Sequence, residues 1–423
     1  MTDQHDALYR AICAEPDEDT PRLVYADLIE EAGDGTRAAF IRAQVELAHA
    51  KEYDPVTVSA RQLNPDAFHG WSMAHTLPKI PGGYGWHTFE FRRGFPWKAG
   101  VNSRAAFVGD GAGVFDVAPI QALDVNTHDR PDLVNLAEWP HLRRIHRLEF
   151  SHGWFGPDAI TQLGNSPNAT SLVELAFEHD GITAAGLEAL AVSDLFPRLE
   201  VLELRSNLIP PALIVDALAA ANKPGTLGRL SLASNSIAEA DADHLFALPM
   251  MQGLQSLDLS DNKRLGVEGA SALAASGALR GLRVLRLGNT LPGVPGVRAL
   301  TEAGGFSGVR SLDLSANRLG PVAVKLLAES SAARGLRVLN LANNPVGDAG
   351  ATAIANSRAF AHLLELDLAD AELSDSGAIA LAESQYLGNL LRLNLATHTG
   401  RPFGTAAREA LIERFGKRVM CGS

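Results

Sequence analysis

One spacing constrains this chain more than any other feature: leucine, two residues, leucine, one residue, leucine, two residues, asparagine, one residue, aliphatic. Leu336, Leu339, Leu341, Asn344 and Val346 show it cleanly. The same frame fits Leu199, Leu202, Leu204, Asn207, Ile209; Leu227, Leu230, Leu232, Asn235, Ile237; and Val309, Leu312, Leu314, Asn317, Leu319. Looser copies begin at Leu172, Leu254, Leu282, Leu363 and Leu390. The copy at Leu254 keeps Asn262 with one extra residue before Leu265, and the copy at Leu282 has Thr290 in the asparagine slot. From Leu172 onward successive starts fall 27 or 28 residues apart. A module this short cannot bury its own apolar side, so it must stack on its neighbours.

Alternation at Leu339 and Leu341 predicts a short strand with one buried face, and the asparagine then falls where the chain leaves that strand. Its amide can donate and accept toward turn backbone that water no longer reaches. Asn207, Asn235, Asn262, Asn317 and Asn344 are accordingly expected to form a structural ladder. The second half of each unit, such as the segments from Pro321 and Asp348, is alanine-rich with helical spacing. Strands stack about 4.8 Å apart and helices need about 8 to 10 Å, which predicts a horseshoe. The unit resembles the ribonuclease-inhibitor-like type of leucine-rich repeat over most of residues 170 to 400. The expected fold is α/β, a solenoid with parallel strands on the concave face and helices on the convex face, preceded by a small all-helical domain.

Residues 1–50 follow a different pattern. Thr20 before Pro21 predicts a helix start, Gly33 its end, and Thr36 the start of a third helix. Ile12, Leu23, Tyr25, Leu28, Phe40, Ile41 and Val45 are expected to form a small core. The run containing Pro16, Asp17, Asp19, Pro21, Arg22, Leu23, Tyr25, Ala26, Asp27, Gly33, Asp34, Arg37, Ala38, Phe40, Ile41 and Gln44 is similar to the repeat-companion domain of planctomycete-type bacterial proteins. Leu28-Ile29 departs from the tryptophan and leucine usual there. Residues 51–85, with breakers at Pro55, Pro65, Pro78, Pro81, Gly82, Gly83 and Gly85, are expected to be a linker with one short helix near Trp71. Trp86, Phe89 and Phe91, with Gly94 in the asparagine slot, are expected to be a disguised repeat strand. Ile120, Leu123, Val125 and Ile145, Leu148, Phe150 make two more. Residues 86–171 thus form degenerate repeats and an amino-terminal cap, 172–400 the repeats proper, and 401–423 a carboxy-terminal cap.

The balance of 37 basic against 49 acidic residues, a formal charge of −12, disfavours nucleic acid and anionic membranes and fits a partner with a basic patch. Two cysteines at opposite ends, no basic apolar leader and no long apolar run point to a cytoplasmic monomer. No metal, cofactor or catalytic constellation is expected. The predicted function is a noncatalytic protein-interaction scaffold, the alternative being an enzyme or enzyme regulator using the amino-terminal domain or residues 86–152. Outward strand positions collect into a mostly acidic column that includes Glu90, Asp124, Glu149, Glu203, Asp258 and Asp313. Further along the strands come Arg92, Asn126, Glu178 and Arg205, with His152 and His179 in one slot of adjacent units. The pair of histidines is read as solvated rather than metal-binding. Binding is expected to concentrate on residues 90 to 205.

Overall fold

The computed structural model describes residues 3–55, 57, 86–101, 113–125, 134–151, 154–179, 181–207, 209–221, 225–302, 306–397 and 403–421. The expected helix near Trp71 lies outside them. The chain divides into two compact units: Met1–Lys51, Leu63–Leu208 and Ala220–Thr226 in the first, Glu52–Gln62, Ile209–Ala219 and Leu227–Ser423 in the second.

In the first unit three helices, α1 (Asp3–Ala14), α2 (Thr20–Glu31) and α3 (Gly35–His49), precede strands β1 (Trp86–Arg92), β2 (Phe95–Val101), β3 (Ala122–Val125), β4 (Arg147–Ser151), β5 (Glu174–Glu178) and β6 (Val201–Glu203). The strands lie in chain order. From β2 to β6 they pair in parallel, but β1 pairs antiparallel with β2. The aromatic run at Trp86 is therefore the outer half of a hairpin and not a repeat strand. The reason is local: Arg93 (φ 54) and Gly94 (φ 80) reverse the chain within two residues, and the repeat ladder begins with β2, whose Phe95, Ala99 and Val101 are buried.

The helical core joins Ile12, Tyr25, Ala26, Ile29, Ala38, Ile41 and Val45 to Phe95 of the hairpin. Tyr9 and Tyr25 meet Phe95 edge-on at 5.7 and 5.5 Å. Leu23, expected in this core, is 38 % exposed. The inward stripe of α2 is Arg22, Tyr25, Ala26 and Ile29, and Leu23 lies one residue round the helix from it. Arg22 is tolerated inside because its guanidinium donates to the carbonyls of Glu18 (2.5 Å) and Pro16 (2.8 Å). Two helix starts also differ from expectation. Asp19, not Thr20, is the N-cap of α2 and makes no side-chain cap bond, and α3 is capped by Asp34, which accepts from the Arg37 amide at 3.1 Å.

The second unit is a ladder of repeated strand, turn and helix modules. Strands β7 (Arg229–Ser231), β8 (Ser256–Asp258), β9 (Val284–Arg286), β10 (Ser311–Asp313), β11 (Val338–Asn340), β12 (Glu365–Asp367), β13 (Arg392–Leu395) and β14 (Val419–Cys421) lie in chain order and pair in parallel. A helix precedes each strand from β8 on, for example Pro321–Glu329 before β11 and Gly347–Ala355 before β12. Leu230, Leu257, Leu285, Leu312, Leu339, Leu366 and Leu393 stand in register and are buried. Each contributes roughly 1.5 to 3 kcal/mol of burial free energy.

Behind the strands the asparagines are buried and bonded to backbone on both sides. Asn344 Oδ1 accepts from the Asn317 and Leu319 amides, each at 2.9 Å, while Nδ2 donates to the carbonyls of Leu314 and Leu341 at 2.9 Å. Asn262 repeats the set, accepting from Asn235 and Ile237 and donating to Leu232 and Leu259. Asn317 and Asn207 do likewise to the turns before them. The residue ahead of the asparagine slot takes a left-handed conformation: Ser206, Ser234, Asp261, Ala316 and Asn343 have φ between 55 and 61. That twist brings the turn amides within reach of one oxygen.

Candidate partner-binding surface

The solvent-facing side of each strand ladder is fixed by the pleat, since residues two apart share a face. In the first unit one outward column runs Lys98, Ala122, Arg147, Glu174, Val201, and the next runs Gly100, Asp124, Glu149, Ala176, Glu203. Glu90 does not belong to the second column. It sits opposite Lys98 on the antiparallel β1.

These residues form one ionic network. Lys98 Nζ lies 2.6 Å from Glu90 and 2.8 Å from Glu149. Arg147 reaches Glu149 at 2.5 Å, Glu174 at 3.0 Å and Glu203 at 2.7 Å. The column expected to be acidic with few cations among it is thus interleaved with two, and four carboxylates share them. Burial of Glu149 would raise its carboxyl, yet Arg147 and Lys98 overcome this and hold it below the usual range. Burial pulls the Lys98 ammonium down, and the hydrogen bonds it donates to Glu149 and Glu90, with their charges, push it up by more. The same opposition raises Arg147, whose charge is never in question.

The remaining predicted residues of this unit are more loosely placed. Arg92 stacks 5.2 Å from the Trp97 ring centroid, and its pKa is lowered by burial first and by Arg93 second. Glu178 ends β5 opposite Ser151. His179 is exposed in a left-handed turn (φ 50), its amide donating to the Arg205 carbonyl at 3.2 Å. Asn126 and His152 lie outside the described residues. Among the described residues no group of three or more His, Cys, Asp or Glu is arranged to hold a metal ion, and no helix is long and apolar enough to cross a membrane.

Asp17, Asp19, Arg22, Asp27 and Arg37, the polar residues of the amino-terminal motif, are drawn into contacts within the first unit. Arg93 approaches Asp19 at 3.3 Å and donates to the Asp17 carbonyl at 3.0 Å, and Gln121 reaches the Asp17 carboxylate at 3.1 Å. Asp19 also meets His49 at 2.6 Å, Asp27 pairs with Arg42 at 2.7 Å, and Arg37 lies over the Tyr25 ring.

In the second unit the middle outward column is Ser231, Asp258, Arg286, Asp313, Asn340, Asp367, Asn394, Met420. Its acids and amides serve their own turns. Asp258, Asp313, Asn340, Asp367 and Asn394 each accept, through Oδ1, the amide two residues on, at 2.8 to 3.1 Å. This is an Asx turn, which needs an acceptor and is indifferent to charge. Asp258 and Asp313 therefore hold local backbone as well as facing solvent. Beside them a polar recess of about 270 Å3 is lined by residues including Glu52, Arg286, Asp313, Asn340, Asp367 and Arg392.

Sequence reasoning missed Lys98, Arg147, Glu174, Arg392 and Glu52. Arg147 was within reach, since a strand places residue i−2 on the same face as Glu149. Lys98 was hidden by assigning the repeat frame to β1 instead of β2. Nothing in the sequence around Glu52 points to a residue 234 positions away.

Three segments of the chain, 252–274, 334–355 and 361–382, match a family model described as Leucine Rich repeat. No curated protein matches the chain. Among solved structures, a chain of the crystal structure of the Rad7 and Elc1 complex in yeast is similar at 16 % identity and a TM-score of 0.44, over 68 % of this chain and 80 % of that one.

Proposed function

We propose that this leucine-rich repeat protein is a noncatalytic scaffold that holds a protein partner on the solvent-facing side of its strand ladders. The observation that carries the reading is the network of Glu90, Lys98, Arg147, Glu149, Glu174 and Glu203. It is a rigid surface in which four carboxylates outnumber two cations, so it favours a partner presenting lysine or arginine. Trp154, 60 % exposed in the turn after β4, supplies an aromatic anchor of the kind that dominates interface energies. A noncatalytic role fits because Glu149 is held ionised by its cations, where acid–base work at neutral pH needs a group poised near it.

The finer assignment belongs to the same proposal: a ribonuclease-inhibitor-like array, a companion domain at residues 1–50, a monomer, and a cytoplasmic setting suited to Cys13 and Cys421, which form no disulfide with each other. The test is affinity capture from a native lysate with wild type and with Glu90→Lys/Glu178→Lys, positions away from Arg147. Loss of a discrete partner in the variant, with the fold retained by far-ultraviolet circular dichroism, is the expected outcome. An identical set of captured proteins would remove the acidic face from the proposal.

A further inference from the structure

The second unit contains one repeat that departs from its neighbours at three positions of its strand and turn. Where Asp258, Asp313, Asn340, Asp367 and Asn394 supply an acceptor to their own turns, this repeat has Arg286, which has none to give. Arg286 is the single cation in the eight-residue middle column of the ladder. The next outward position is Gly288, where a Cβ would come within 2.9 Å of Ser315 Oγ, and the asparagine slot holds Thr290, whose hydroxyl donates to the Leu287 carbonyl. A repeat that gives up its own turn acceptor for an arginine breaks the local rule the others obey, and such breaks gather at functional positions.

The guanidinium of Arg286 is engaged by the carboxylate of Glu52, which comes from the Glu52–Gln62 segment of the same unit. The two line one recess together with Asp313, Asn340, Asp367 and Arg392. Arg392 differs from Arg286: it is bound to Glu365 of the adjacent strand and so is neutralised by the ladder itself.

We infer that Arg286 is a recognition point for a carboxylate side chain of a peptide or protein partner, and that Glu52 is the chain's own stand-in for that carboxylate. The inference rests on the strand ladders being the interaction surface, and it adds a partner chemistry opposite to that favoured by the first unit. Arg286 presents a planar fork of donors suited to a carboxylate. Flanking Asp313 repels a second acid placed directly beside the first, which disfavours a run of adjacent acids. A partner gains the site only by displacing Glu52, so its apparent affinity is reduced by the fraction of molecules in which the site is open.

The experiment uses the full chain and a defined probe, the blocked peptide AKEYDPVT copied from residues 50–57, with a control in which its glutamate is glutamine. Titrations followed by NMR compare wild type, Glu52→Gln and Arg286→Gln. If the site is open in about one molecule in ten, Glu52→Gln binds the peptide about tenfold more tightly than wild type, the glutamine control binds neither, and Arg286→Gln binds neither peptide. Hydrogen exchange at residues 52–57 is faster in both variants than in wild type, a readout that needs no ligand. Equal binding by wild type and Glu52→Gln, no binding by Glu52→Gln, binding retained by Arg286→Gln, or unchanged exchange would each overturn the inference. The lysate capture with Glu90→Lys/Glu178→Lys reads the other unit, so its failure leaves this titration informative and the reverse also holds.

Discussion

The two units stabilise the same kind of strand ladder by opposite means. In the second unit the polar side chains of the ladder, Arg286 with its Glu52 partner aside, act over one repeat or less. Asparagine amides bridge adjacent turns, and the outward Asp and Asn residues hold the amide two positions on. In the first unit they act across the sheet: Arg147 spans β4, β5 and β6 from one guanidinium, and Lys98 joins β1 to β4. Its helices are tied to the hairpin by Arg93 with Asp17 and Asp19, and by Gly94, whose missing side chain leaves room for Ile41. Regular repeats can satisfy backbone with a short amide at each step. Irregular ones, lacking that amide at the same place, are held by longer charged side chains whose partners are set by the whole sheet.

The largest effect separating the two schemes is expected at Asn344. Replacing it by alanine strips the acceptor from the Asn317 and Leu319 amides, both buried, and should cost about 3 kcal/mol at about 1 to 3 kcal/mol per orphaned group. Urea denaturation measures it, and a loss below about 1 kcal/mol would break the claim that the amides hold the second unit. Next comes Gly94→Ala. Its new Cβ would lie 2.7 Å from Ile41 Cα at a φ of 80, and we expect a loss of about 2 kcal/mol from overpacking and strain, seen as a lower thermal midpoint for the first unit. Arg147→Met leaves Glu149, Glu174 and Glu203 facing one another and should cost about 2 kcal/mol, less than a fully buried pair because the site is partly wet. A neutral result there would dissolve the contrast drawn above.

A smaller effect is expected from pH. Glu149 is held below its usual range, so its ion pairs add stability above the unfolded value of about 4.3 and lose it as pH falls through the lower folded value. The wild-type midpoint should therefore drop more steeply than that of Glu149→Gln between about pH 5 and pH 3. The smallest effect sharpens the comparison most. Asp313→Asn keeps the acceptor for the Ser315 amide and should change stability by less than about 0.5 kcal/mol, whereas Asp313→Ala should cost about 1 kcal/mol. A large penalty for the asparagine variant would show that charge, and not the turn bond, is what the column supplies.

The second unit was legible in the sequence because one residue type at a fixed spacing does one job. Leu312, Leu339 and Leu366 had to share a face, and Asn317 and Asn344 had to sit where the chain turns. The hairpin was not legible. Trp86, Phe89 and Phe91 fit the leucine frame as well as a true repeat does, and only the left-handed Arg93-Gly94 pair distinguishes a reversal from a continuation. The acidic column was found, but its meaning was not. A column collected residue by residue omits the neighbours at i−2, so Arg147 went unseen beside Glu149, and spacing cannot tell a free carboxylate from one bonded to its own turn. Spacing places Arg286 in the outward column, but only the turn bonds of its neighbours show that it lacks the acceptor they supply.

The asparagine ladder gives the second unit a direction. Each amide oxygen serves the turn of the repeat before it, while each amide nitrogen takes carbonyls from that repeat and its own. Trimming repeats after β10 would strand the turn amides of Asn317 and Leu319 along with the strand edge, whereas trimming those before β11 would strand the strand-edge amides of Arg337 and Val338 but leave the Asn344 side chain bonded to its own Leu341 carbonyl. Shortened versions of this ladder should thus survive loss at their head more readily than loss at their tail.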